Sequence, residues 1–158
     1  MRYISLKIIG NIDLSTKDIL NKYHLLEVTD VTGRVNHLEA IKIAKSSDLL
    51  LLLMGTTELT PKGWIPSKLI EYIACGKTIL GIVPEGEAAE IIRKTNTGYV
   101  ITNEDEEEIM NIIKKEHDRK NAGKNTIQNA ETQEIEKFSN DYTISKFTEL
   151  FNSIPQCD

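Results

Sequence analysis

The run Leu49-Leu-Leu-Leu-Leu53 constrains this chain more than any other stretch. Successive side chains of a strand point to opposite faces, so five consecutive leucines need cover on both. That is the situation of a strand inside a parallel sheet with helices above and below. Thr78 to Val83 is a second run of the same kind, with Gly81 inside it. Parallel neighbours need a long crossover, usually a helix. The segment between the runs supplies one: Pro66 or Ser67 opens it, Leu69, Ile70, Ile73 and Ala74 share one face, and Gly76 stops it.

The same alternation holds along most of the chain. Tyr3 to Ile9 is predicted as a strand stopping at the Gly10-Asn11 turn, Asp13 to Tyr23 as a short helix, and Leu25 to Val31 as a strand ending at Thr32-Gly33. Asn36, with Glu39 three residues on, has the pattern of a helix N-terminus, and that helix runs to about Lys45. After the second apolar run come a helix from Glu85 to Lys94 and a strand from Tyr99 to Ile101. A further helix, capped by Thr102 or Asn103, reaches about Glu116. Its acids crowd the N-terminus and its lysines the C-terminus, both favourable to the helix dipole. A last helix is predicted from about Ile127 to Phe151, before a tail from Ile154. Strands alternating with helices predict right-handed βαβ units and a mostly parallel, Rossmann-like sheet in a three-layer sandwich.

Composition removes several functional classes. At 158 residues and 40% hydrophobic, the chain can build an ordinary core. A net charge of −5 offers no clustered basic surface for nucleic acid. The longest apolar run, Leu49 to Met54, is too short to cross a bilayer, and the N-terminus lacks a signal-peptide core. Cys75 and Cys157 do not make a disulfide framework, so a cytoplasmic setting is expected.

The helix after Pro66 carries the candidate chemistry. Lys68, Glu71, Tyr72 and Cys75 fall on its outer face. One reading is a surface Lys68–Glu71 pair of about 0.2–0.5 kcal/mol. The other is an anion site. Free N–H groups and the dipole at the helix start favour a phosphate, Lys68 adds positive charge, and Glu71 can accept hydrogen bonds from vicinal ribose hydroxyls. Spacing alone leaves both open. Elsewhere, no His pair has metal-ligand spacing, no thiol has an activating base, and no P-loop, Gly-x-Ser-x-Gly or full Gly-x-Gly-x-x-Gly is present. No metal or cofactor is expected, and no in-chain nucleophile or base stands out.

The order Gly33-Arg-Val-Asn-His-Leu-Glu-Ala40, Asp48-Leu-Leu-Leu-Leu-Leu53, Pro66-Ser-Lys-Leu-Ile-Glu-Tyr-Ile-Ala-Cys-Gly-Lys-Thr-Ile-Leu80 and Gly98-Tyr-Val100 with Asn103-Glu-Asp-Glu-Glu107 resembles one family. It is similar to the C-terminal, donor-binding domain of retaining GT-B glycosyltransferases of group 1, over roughly Tyr3 to Glu116. The resemblance implies the C-terminal half of a GT-B fold. Residues 1–120 would form the nucleotide-sugar-binding domain, and residues 121–158 a helix and tail packed on it. It implies a UDP-sugar or GDP-sugar as donor substrate and a saccharide or lipid acceptor, as in polysaccharide assembly. Glu71 resembles the glutamate that holds the ribose, and Ser67 with Lys68 the diphosphate-facing helix start. Gly33, Arg34 and Val35 resemble the loop that holds the base, where glycine lets the backbone approach closely. Gly33 as a plain strand-ending turn is the competing reading. Gly63 and Trp64 lie in the loop beside the donor sugar, and Trp64 equally fits a packing role.

Two departures qualify this. The family often places a first glutamate eight positions before the one matched by Glu71. Here that position is Gly63, leaving the sugar-side acid absent or displaced to Glu58. The family domain also starts one strand and helix earlier, so the sheet would lack a central strand or close by pairing the first and third strands seen here. The resemblance further implies that acceptor contacts come from an N-terminal domain outside this chain, that the chain alone is inactive, and that membrane contact is peripheral and through the parent enzyme. A nucleotide-sugar epimerase of the same fold and a non-catalytic nucleotide-binding or interaction module are the alternatives. A phosphorylation receiver is disfavoured because Ile9-Gly10-Asn11 brings no acid to the end of the first strand.

Overall fold

A computed structural model describes residues 4–55, 63–103, 105–124 and 130–154. The chain forms two compact units, Met1–Ser46 and Ser47–Asp158. Every named strand pairing is parallel, in two sheets.

The first unit holds β1 (Leu6–Ile8), α1 (Leu14–Lys22), β2 (Thr29–Val31) and α2 (His37–Ser46). β1 pairs with β2 in the register Leu6 to Thr29. The side chain of Asp13 caps α1 by accepting from the Thr16 N–H, and the Asn36 amide oxygen accepts from the Glu39 N–H at 2.9 Å at the start of α2. The strand expected from Leu25 to Val31 is shorter. His24 has a positive φ of 55° and Leu25 is helical, so Leu26–Val28 form a 3₁₀ turn. The Thr29 hydroxyl closes that turn by donating to the Leu25 carbonyl at 2.7 Å.

The second unit is a three-layer α/β/α sandwich. Its sheet runs β3 (Leu49–Leu53), β4 (Thr78–Ile82), β5 (Gly98–Ile101), with β4 central. α3 (Ser67–Cys75) and α4 (Glu87–Thr95) cover one face. There Leu52, Leu69, Ile73, Ile79, Ala89 and Ile92 make the main core. α5 (Glu106–Asn121) covers the other face, where Leu80, Ile101 and Ile112 meet. Ile79 and Leu80 thus feed opposite layers, as adjacent strand residues must. Gly76 ends α3 with φ +65°, the left-handed conformation that glycine adopts without strain.

Several expectations change here. β3 is unevenly covered: Leu50 and Leu52 are buried on one face, whereas on the other Leu49 is half-buried against the α5-side cluster and Leu51 and Leu53 remain 41% and 65% exposed. It is also an edge strand of its sheet. Among the described residues β1 pairs with β2, and β3 with β4. The cap of α5 is Asp105, not Thr102 or Asn103. Its carboxylate accepts from the N–H groups of Glu107 and Glu108, and the helix runs on to Asn121. The predicted last helix is two, α6 (Thr132–Glu136) and α7 (Asn140–Ser153). Ser139 separates them by accepting the Tyr142 N–H on its hydroxyl, a stable N-cap in mid-segment. Ile135 and Phe138 pack on the main core, whereas Phe147, Leu150 and Phe151 are exposed. Ile127 lies outside the described residues.

Candidate functional site

α3 presents its chemistry because of its sequence period. Leu69 and Ile73 sit in the core, which turns Lys68 and Glu71 outward. The Lys68 ammonium donates to Glu71 Oε2 at 3.2 Å. The two differ in setting: the Lys68 side chain is 58% exposed and that of Glu71 only 27%. Glu71 is thus the more enclosed partner of the pair. Pro66 is the N-cap and supplies no side-chain cap to the first turn. The positive end of the helix is left to solvent or to an anion. Tyr72, beside Glu71, is half-buried. Burial raises its phenol pKa, the Lys68 charge works against that, and Glu71 adds to it.

Ser67 is exposed at the helix start, and Gly63 and Trp64 are exposed just before it. A Cβ at Gly63 would meet nothing within 4 Å. Trp64 is 53% exposed. Glu58 lies outside the described residues.

Gly33, Arg34 and Val35 belong to the first unit, directly after β2. Gly33 has φ +69°, so this turn requires a residue free to be left-handed. An isolated antiparallel bridge joins Gly33 to Gly10, after β1. The Thr32 N–H donates to the Ile8 carbonyl at 3.0 Å. The loops that end β1 and β2 are therefore tied together, and Asn11 joins the neighbourhood of Gly33. Asn11 belongs to the Gly10-Asn11 turn expected after the first strand. Arg34 is exposed and Val35 half-buried. His37 is an exposed residue of the first turn of α2.

A different polar cluster lies on α5. Glu116 is buried, accepts from the Tyr99 hydroxyl at 2.8 Å and from Arg119 at 2.8 Å, and Arg119 also donates to the Thr78 hydroxyl at 3.0 Å. Thr78 begins β4, so this cluster marks the N-terminal end of the sheet. Ligands of parallel sheets bind outside the opposite, carboxyl end. Among the described residues no three His, Cys, Asp or Glu side chains converge in a way that could hold a metal. No helix there is long and apolar enough to cross a membrane.

The family model for glycosyl transferases group 1 matches residues 3–133, and the chain belongs to that family. Two solved structures share the fold. One is the crystal structure of Anabaena Alr3699/HepE in complex with UDP, with TM-score 0.67 and 18% identity over 96% of this chain and 41% of that one. The other is sucrose-phosphate synthase (tll1590) from Thermosynechococcus elongatus, with TM-score 0.67 and 15% identity over 95% of this chain and 39% of that one. The chain thus spans about two fifths of the length of these structures. No curated protein matches the sequence. Fold and family are those of a Rossmann-like, C-terminal GT-B domain.

Proposed function

We propose that this chain is the donor-binding part of a glycosyltransferase and that α3 is its nucleotide-holding element. The observation that carries the reading is the Lys68–Glu71 pair on the outer face of an uncapped helix start. A nucleotide diphosphate sugar brings a dianionic diphosphate and a vicinal diol. The helix start with Ser67 and Lys68 takes the former, and the Glu71 carboxylate takes the latter as a double acceptor. Positive charge at that point also stabilises a diphosphate leaving group as its charge grows, which is the usual electrostatic contribution to such transfers. Gly63 and Trp64, just before α3, border the sugar. With Gly63 in place of an acid, this chain holds the nucleotide more firmly than it handles the sugar. Family membership supports the reaction class, and the fold shared with a protein solved with UDP supports UDP as the first nucleotide to try.

Transfer to a saccharide or lipid acceptor, in polysaccharide assembly at the cytoplasmic side of a membrane, is the proposed setting of the whole protein. The donor needs no metal in this scheme, and the 158-residue chain alone binds nucleotide without turning over sugar. Calorimetric titration with UDP and GDP, repeated on Glu71→Ala, tests the reading. Binding of one nucleotide that weakens at least tenfold in the variant is expected, since hydrogen bonds to a charged group contribute about 1.5–3 kcal/mol. Binding unchanged by the substitution would remove Glu71 from the site.

A further inference from the structure

We infer that α7 is a self-association element, whose apolar stripe packs against the same stripe of a second copy of this chain. The inference lies outside the nucleotide reading and does not depend on it. α7 spans Asn140–Ser153, 14 residues. Ser139 caps its start through the Tyr142 N–H, and Tyr142 itself is half-buried. Every residue from Thr143 to Ile154 is exposed. A helix of this length without tertiary packing is marginal in water, because helices in proteins draw most of their stability from a covered apolar face. α7 has such a face and leaves it bare. Ile144 is 63% exposed, Phe147 57%, Leu150 59%, Phe151 67% and Ile154 55%. At about 100° per residue these side chains share an arc of about 120°. The back of the helix is polar. There Lys146 pairs with Glu149 at 2.6 Å and lies over the Tyr142 ring.

Area and charge select the occupant. An aromatic side chain can bury about 150–250 Å². More than half of each stripe residue is free, so the stripe offers on the order of 500 Å², a large apolar patch for a monomer. Two stripes face to face would cover about 1,000 Å², the size at which a specific contact becomes stable. A two-fold pairing needs only one self-complementary patch. The stripe and the bordering Thr143 and Thr148 carry no charge, so two copies meet there without like-charge repulsion. An anionic lipid surface fits less well. Helices that lie on membranes are rich in lysine and arginine on their polar face. The lysine of α7, Lys146, is already paired with Glu149, and Asp141 adds a second acid.

The test is sedimentation equilibrium of the full chain over a hundredfold range of concentration, with amide hydrogen exchange of α7 followed on the same samples. A reversible monomer–dimer equilibrium is expected, with exchange from Phe147 to Phe151 slowing as the dimer fills. Phe147→Gln with Phe151→Gln should raise the dissociation constant at least tenfold, since burying one large apolar side chain is already worth about that factor. Lys146→Gln with Glu149→Gln, on the back of the helix, should leave it within about threefold. Far-UV circular dichroism at the dilute end, where all three proteins are monomers, checks that the variants fold. Should either fail, the concentration dependence of exchange in the unsubstituted chain decides alone. A chain that stays monomeric throughout overturns the inference. So does a dimer indifferent to the phenylalanine changes, one weakened as much by the back-face changes, or one whose formation leaves α7 exchange untouched. Flotation with vesicles of phosphatidylcholine and phosphatidylserine is expected to leave the chain in solution. Flotation that is lost in the phenylalanine variant would assign the stripe to lipid and overturn the pairing.

Discussion

Tyr99 Oη donates a 2.8 Å hydrogen bond to Glu116 Oε1, tying β5 to the helix that covers it. Glu116 is 6% exposed, and its other carboxylate oxygen is taken by Arg119. A buried carboxylate needs each of these donors, because leaving an acceptor unmet costs more than a hydrogen bond contributes on average. Tyr99→Phe removes the donor and keeps the ring. We expect a loss of about 1–3 kcal/mol in urea unfolding at unchanged m-value. A variant within 0.5 kcal/mol of wild type, taken as ~ the neutral range of surface substitutions, would mean that solvent reaches this carboxylate.

The same phenol gives the fold an alkaline limit. Burial raises the Tyr99 pKa above 10.0, and the Glu116 hydrogen bond raises it further. Burial also raises Tyr72. A group whose pKa is higher folded than unfolded stabilises fully below its unfolded value and loses that contribution as pH rises through the folded one. Stability should therefore fall above about pH 10 as the unfolded chain releases these protons first. Unfolding midpoints measured from pH 8 to 11 in wild type and in Tyr72→Phe with Tyr99→Phe check this. The double variant should show the shallower alkaline fall, and an equal slope would exclude both phenols.

Two glycines of the second sheet should answer the same substitution differently. A Cβ on Gly98 would run into the Ile79 backbone carbonyl, where β5 meets β4. A Cβ on Gly81 would come to 2.7 Å from Ile92 Cδ1, the end of a movable side chain. Backbone in a sheet centre cannot give way as a methyl can, so Gly98→Ala should cost about 3 kcal/mol or more and Gly81→Ala about 1–2 kcal/mol. Chemical denaturation of the two variants orders them, and the reverse order would mean that β5 shifts freely against β4.

Lys68 should matter in proportion to ligand charge. It lies exposed beside the helix start, so its pull on a diphosphate exceeds its pull on a monophosphate and weakens with salt. Lys68→Met should lower UDP affinity several-fold and UMP affinity less, and should flatten the dependence of UDP binding on ionic strength. Titrations at low and at physiological salt measure this. Equal losses for the two nucleotides would take Lys68 away from the phosphates.

The elements legible in the sequence are those with both ends marked. α3 has Pro66 before it, a clear apolar face within it and a glycine after it, and it folds where those signals put it. Thr78 to Val83 also declared itself by its uniform apolarity and lies in the centre of its sheet. The split between α6 and α7 was hidden because a serine within an apolar-periodic stretch does not by itself mark a cap; here Ser139 caps α7 while Ile135 and Phe138 pack on the core. The 3₁₀ turn at Leu26–Val28 was hidden for a similar reason. Its apolar residues suit a strand, and the turn is set by a backbone reversal at His24 and by one hydroxyl. Leu51 and Leu53 misled in the other direction: the leucine run is that of an interior strand, yet β3 stands at the edge of its sheet. Of the candidate site, Lys68 and Glu71 followed from helix period. The Gly10–Gly33 bridge was not legible, because it joins loops far apart in sequence.

Trp64 offers an optical reporter. It is the chain's one tryptophan, exposed, and three residues before α3. If the loop it occupies borders the donor, a nucleotide sugar should change its emission more than the bare nucleotide does. Fluorescence titration with UDP-glucose and with UDP distinguishes them, and identical curves would detach Trp64 from the sugar.

The central claim is that the Glu71 carboxylate holds ribose hydroxyls, and a cycle in ligand and protein tests it most directly. UDP and 2′,3′-dideoxy-UDP are titrated into wild type and into Glu71→Ala. The predicted result is a tenfold or greater loss for UDP on substitution, from about 1.5–3 kcal/mol of charge-assisted hydrogen bonding. The dideoxy nucleotide, which has no diol to present, should bind both proteins alike. Equal losses for the two nucleotides, or none for either, would contradict the account.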